Sequence, residues 1–240
     1  MIVLNADTGG SKPAGAPAQT IKLAGTISAA GKHRGTTGGT IVVSGEHIKV
    51  ANAKIDASGR RGGGKILIGG DWGGGHPDLS LVTNASAKLE NFPIATATTV
   101  SVDANSTINA SATGRGHGGK VVLWSDNQTT FAGTILAKGG AKSGDGGFVE
   151  TSSHGQLAFT GNVDTRAPHG TNGTLLLDPL DFHIVQFTEG PPNPNEMSAA
   201  MLEGLLANGN VTIATNNAQK KDNLVTSGSR PTSPGTTTTR

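Results

Sequence analysis

Two short elements recur along the chain at one period, and this repeat limits the fold more than any other feature. The first element is a glycine-rich step into an apolar triplet. Gly38-Gly39-Thr40 precedes Ile41-Val42-Val43, Gly63-Gly64-Lys65 precedes Ile66-Leu67-Ile68, and Gly118-Gly119-Lys120 precedes Val121-Val122-Leu123. Gly146-Gly147-Phe148-Val149 and Asn172-Gly173-Thr174 with Leu175-Leu176-Leu177 continue the series. The second glycines, with Gly173 as the last, lie 25, 55, 28 and 26 residues apart.

The second element follows at a roughly fixed offset. Ile21 to Ala29, Thr129 to Ala137 and Leu157 to Thr165 align position for position, and Ile48 to Ala57 and Val100 to Ala110 fit with one or two residues added. The alignment gives a column Ile27, Ile55, Ile108, Ile135, Val163, and a second column Ala29, Ala57, Ala110, Ala137, Thr165 two positions later. Alternation with period two is strand behaviour. Runs this short and β-branched, bounded by glycine, do not form helices. A period near 27 with about three strands per unit predicts an all-β right-handed parallel β-helix of about six coils over 21–185. The glycine-rich stretches between strands become corners, where positive φ is expected to select glycine. Ile135 is expected to point inward and Lys138 outward. The double-length interval of 55 residues reads as a coil with a degenerate corner, with Leu79 to Val82 and Ile94 to Val102 as its strands; an inserted loop is the alternative.

Residues 1–20 read as a lead-in segment with little capping material. Pro191-Pro192-Asn193-Pro194 opens a helix-strand unit over 186–225, read as the start of a following segment. Its helix has Asn195 as the candidate cap and Met197, Met201, Leu202, Leu205 and Leu206 as its apolar face. Residues 226–240 have the Ser/Thr/Pro/Gly composition of a disordered tail.

Lys65-Ile66-Leu67-Ile68-Gly69-Gly70-Asp71-Trp72, Gly119 to Asp126, Phe131-Ala132-Gly133-Thr134-Ile135 and Gly144 to Ser152 form an ordered run of signatures. With them, the stretch from Ile21 to Thr215 resembles the filamentous haemagglutinin-like exoproteins. Gly173 to Pro179 is similar to the end of that family's repeat block, and Ala199 to Thr215 to the unit that follows it. The resemblance implies a shaft or adhesion segment of a large secreted bacterial surface protein. It implies export of the parent through an outer-membrane two-partner-secretion transporter, and a host-cell or surface glycan as ligand. The stretch from Pro77 to Asn105 is longer than the family pattern, and neither a signal peptide nor the family's secretion domain is visible. The chain is therefore expected to be an internal fragment.

Composition limits the chemistry. There is no cysteine, so disulfides, thiol catalysis and thiolate metal sites are excluded. Nineteen basic against seventeen acidic residues leave a formal charge of +2, which offers no net electrostatic handle for nucleic acid. No apolar run reaches the ~20 residues needed to span a bilayer. Parallel β-helices also host polysaccharide lyases and hydrolases, so paired carboxylates matter. The candidates are Asp71 and Asp78 with His76, flanked by Arg60 and Arg61; the competing reading is a polar corner loop. Gly144-Asp145-Gly146-Gly147 resembles a calcium-binding turn, but one copy lacks the tandem nonapeptide such sites need. Trp72 and Trp124 are either exposed ligand platforms or stacked packing residues, with packing the expectation. Catalytic, cofactor and metal residues are all expected to be absent, and the chain is expected not to be an enzyme.

Overall fold

A computed structural model describes residues 1–6, 17–75, 94–186 and 193–215. It is an all-β protein built from parallel sheets. The first sheet has seven strands, in the order β1 (Ile2–Asn5), β3 (Thr40–Ser44), β5 (Lys65–Ile68), β8 (Lys120–Leu123), β11 (Phe148–Thr151), β14 (Thr174–Leu177) and β17 (Asn210–Ile213). These are the apolar triplets, stacked in register: Ile41 pairs with Ile66, Ile66 with Val121, Val121 with Val149, and Val149 with Leu175. Between successive members of this sheet, up to β14, the chain visits a second one. There β2 (Thr20–Ser28) lies on β4 (His47–Asp56). The first half of β4 pairs with β6 (Ala97–Val102), which is followed by β9 (Ser125–Phe131) and β12 (Gln156–Phe159). The second half pairs with β7 (Thr107–Asn109), then β10 (Thr134–Leu136) and β13 (Asn162–Asp164).

The column anticipated from the repeat is a hydrogen-bonded ladder: Ile27 pairs with Ile55, Ile55 with Ile108, Ile108 with Ile135, and Ile135 with Val163. Ile135 is fully buried, whereas Lys138 keeps 38% of its side chain exposed. Inward residues of both sheets merge into one apolar cluster containing Ile41, Val43, Ile55, Ile68, Leu123 and Phe131. Alternation therefore places one face of each strand in the interior, where burial of apolar area is the main stabilising term.

One corner follows a common plan, although the repeat after Leu136 lacks its opening bond and Lys138 N–H donates to Ser111 Oγ instead. At its start, a side chain at the end of the strand accepts a backbone N–H two residues on: Asp56 from Ser58, Asn109 from Ser111, and Asp164 from Arg166. At its finish, the second glycine donates back to the small residue that opened the loop. Gly39 donates to Ala29, Gly64 to Ala57, Gly119 to Ala110, Gly147 to Ala137 and Gly173 to Thr165, all at 2.7–2.8 Å. These five glycines have no positive φ; the positive φ expected of the corner stretches is found instead at Gly35, Gly116 and Gly144. Their requirement is space: a Cβ on Gly64, Gly119, Gly147 or Gly173 would sit 2.0–2.1 Å from the carbonyl oxygen of the equivalent glycine one repeat earlier.

Three expectations change. The 55-residue interval contains no extra repeat, because β5 pairs directly with β8 and β4 directly with β6 and β7. The chain leaves the ladder at Gly69 and returns at Ala97, whose N–H donates to the Gly69 carbonyl at 2.8 Å. The extra length is thus an excursion, and Leu79 to Val82 lies outside the described residues. The helix α1 (Ala199–Leu206) is capped by Ser198, which accepts from Met201 N–H, and not by Asn195. Met197 lies in the strand β16 (Glu196–Ser198), paired with β15 (His183–Val185), and Leu206 is 53% exposed, so the helix buries mainly Leu205. Finally, strand pairing extends beyond the repeats read from the sequence: Ile2–Asn5 in the lead-in joins β3, and Asn210–Ile213 continues the first sheet after the helix. The segment read as a disordered tail, 226–240, lies outside the described residues.

Candidate functional site

Over its central strands the outward face of the seven-stranded sheet is not solvated, although Val3 of β1, beside Val42, is exposed. Val42, Leu67, Val122 and Leu176 form an apolar column on it, and all are 1% exposed or less. Glu150 occupies the place between Val122 and Leu176 in the same column and is fully buried. The cover comes partly from the start of the excursion. Gly69, Gly70, Gly73, Gly74 and Gly75 all adopt positive φ, which lets the segment fold tightly onto the sheet. A Cβ on Gly70 or Gly74 would come within 2.8 Å of the Trp124 ring. Trp72 lies 5.1 Å from Phe148, ring centre to ring centre, and Trp124 meets the ring of His154 edge-on at 4.8 Å.

A cluster of ionisable groups lies beneath this cover. Lys120 Nζ is 2.5 Å from Asp71 Oδ1, with the two side chains 4% and 1% exposed. Asp71 also accepts the Trp72 N–H at 2.7 Å. The Glu150 carboxylate accepts the Gly73 N–H at 3.1 and 3.3 Å. Burial pushes the Glu150 carboxyl up to about 8; Gly73, the Ser152 hydroxyl and Lys120 oppose the shift, and the nearby Asp178 charge adds to it. Beside the cluster, Ser125, Thr129 and Ser153 form a buried hydroxyl network, with Thr129 donating to the Ser152 carbonyl. Chemically the cluster is a clamp. It ties Asp71 and Gly73 of the covering segment to Lys120 and Glu150 of two adjacent strands.

The residues singled out from the sequence fall into different environments. Asp71 is not part of an exposed polar loop but is buried against Lys120. Its proposed partners His76 and Asp78 lie outside the described residues. Arg60 and Arg61 are exposed on the corner that follows β4. Trp72 and Trp124 are 1% and 0% exposed, which fits packing and not ligand stacking. Gly144 and Asp145 form a corner turn: Gly144 has φ 113°, Asp145 accepts the Thr171 N–H, and His117 sits 3.2 Å from its carboxylate. Among the described residues, no three His, Asp or Glu side chains converge as metal ligands would, and no helix is long and apolar enough to cross a membrane.

The Lys120–Glu150 cluster was missed in the sequence because both residues occupy outward positions that normally face water. A signal was present, since unbroken apolar triplets such as Ile41-Val42-Val43 and Leu175-Leu176-Leu177 mean that both faces of the strand are covered. No known family model matches the chain, and no curated protein is significantly similar to it.

Proposed function

We propose that the chain is a section of a right-handed parallel β-helix from the shaft of a large secreted bacterial surface protein, with a structural and adhesive role. The observation that carries this reading is the column Ile27, Ile55, Ile108, Ile135, Val163, in which each member pairs in register with the next. Stacked parallel units of this kind are interchangeable, so a chain can lengthen its shaft by adding coils without redesigning a core. The near-universal right-handedness of parallel crossovers supports the hand. The buried clamp under Trp72 fits the same role, because it fastens an excursion to the shaft. The resemblance to haemagglutinin-like exoproteins adds export of the parent through a two-partner-secretion transporter.

The experiment is antibody labelling of intact cells of the organism that makes this chain, together with immunoblotting of its medium. The proposal expects label on intact cells or protein in the medium. Label that appears only after lysis would reject it.

A further inference from the structure

Lys120 and Asp71 meet in a setting that suits a reaction as well as an ion pair. Lys120 Nζ lies 2.5 Å from Asp71 Oδ1, the oxygen bonded to the carboxyl carbon Cγ. The two side chains are 4% and 1% exposed, so bulk water has no access to them. Among the described residues, Lys120 Nζ makes no hydrogen bond that would draw it away from Asp71. Aromatic rings close the site. Phe148 is the neighbour of Lys120 on the next strand and packs on Trp72, which follows Asp71 in the chain. Glu150 lies two residues beyond Phe148 on the same face of β11. It accepts the Gly73 N–H and is within electrostatic reach of Lys120. An amine, a carboxyl group and a second, protonated carboxyl are thus enclosed together beside the apolar column of Val122, Trp72 and Phe148.

We propose that Lys120 Nζ and Asp71 Cγ join as an amide, a covalent staple that fastens the excursion to β8. The nitrogen attacks Cγ, one Cγ–O bond breaks, and one molecule of water leaves. The oxygen of that water comes from the Asp71 carboxylate and its two protons from the Lys120 ammonium. The step therefore balances without an oxidant, an activated donor or a cofactor. The Trp72 N–H, 2.7 Å from Oδ1, steadies the negative charge that builds on this oxygen during attack. Glu150 relays the protons, accepting one from the nitrogen on one oxygen while giving its own to the departing Oδ2 from the other. Burial keeps its carboxyl protonated near neutral pH, as such a relay requires. The fold supplies the proximity that makes an unactivated carboxyl reactive. The surroundings favour the product, because a buried ion pair is costly to hold away from water and an amide is neutral. Removal of the Lys120 charge leaves burial and Asp178 to keep Glu150 protonated. With no cysteine in the chain, a disulfide has no means of making this link. The inference concerns how the cover is fixed to the sheet and is independent of the surface location, which cell labelling tests separately.

The test is the intact mass of the purified chain, followed by tryptic digestion and tandem mass spectrometry. The proposal expects a mass one water below that of the sequence. It also expects a branched peptide in which 66–88 is joined to 116–138 through Asp71 and Lys120, with no cleavage after Lys120. Lys120→Arg keeps the positive charge but removes the amine, and should have the full mass of its sequence. Glu150→Gln keeps an acceptor for the Gly73 N–H and removes the relay, so the linked fraction should fall at least about tenfold in samples of equal age. Circular dichroism matching that of the parent shows each variant to be folded, and the mass of the parent decides alone where a variant is not. A parent at its full mass, a water lost without the branched peptide (as from a succinimide at Asp145-Gly146), or equal linkage in folded Glu150→Gln would each overturn the proposal.

Discussion

At Gly119 a methyl group would meet the Gly64 carbonyl oxygen at 2.0 Å and the Ala110 carbonyl oxygen at 2.9 Å, both of them backbone. Nothing there can rotate out of the way, so Gly119→Ala should force adjacent repeats apart and cost about 1–3 kcal/mol. Gly204 is the contrast: it sits exposed in α1 with nothing within 4 Å of an added Cβ. Gly204→Ala should raise stability by about 0.5–1 kcal/mol, because alanine loses less backbone freedom in a helix. Thermal or urea melts of the two variants check this, and melts that shift in the same direction would show the corner packing to be wrong. The glycine pairs also show where sequence reading stops. Their positions were legible as corners, but composition cannot separate a glycine that needs positive φ, such as Gly116 or Gly144, from one that needs a missing side chain, such as Gly119.

At the scale of elements, the triplet strands were legible and their outer cover was not. The pairing of Ile66 with Val121 follows from the repeat, but nothing local in the sequence tells that Asp71 reaches Lys120, 49 residues away. The buried Glu150 gives this cover a pH signature. Burial pushes its carboxyl up to about 8 from an ordinary value of 4.5, with Asp178 and Lys120 as the charged groups that act on it. Between those two values the folded state holds a proton that the unfolded chain has lost. Its contribution is therefore fully present below 4.5 and is lost as pH rises to about 8, at up to about 1.4 kcal/mol per pH unit. Glu150→Gln keeps an oxygen to accept the Gly73 N–H and removes the titration. Melting temperature measured from pH 5 to 8 should fall more steeply for the parent than for the variant, and parallel profiles would contradict a buried, protonated Glu150.

Across the whole molecule, the sequence supplied the order of the repeats but not how to read the double interval. A 55-residue spacing equals two periods whether it contains a coil or an excursion, and only the direct pairing of β5 with β8 distinguishes them. The two ends were read only in part: the strand after the helix was expected but assigned to a following segment, and Ile2–Asn5 was not read as a strand. Ile2–Asn5 and Asn210–Ile213 lack the glycine-pair signature, yet they extend the sheet because edge strands recruit whatever backbone can complete them. The stacking itself is open to direct measurement, since the chain has no cysteine. Thr107, Thr134 and Asn162 occupy one column in three successive repeats. Adjacent members lie about 4.8 Å apart and alternate members about twice that, against a disulfide reach of about 4.4–6.8 Å between Cα atoms. Oxidation of Thr134→Cys/Asn162→Cys, followed by mass spectrometry of the monomer, should give an intramolecular disulfide, whereas Thr107→Cys/Asn162→Cys should stay reduced. A bond in the second pair, or none in the first, would contradict a stack of parallel coils.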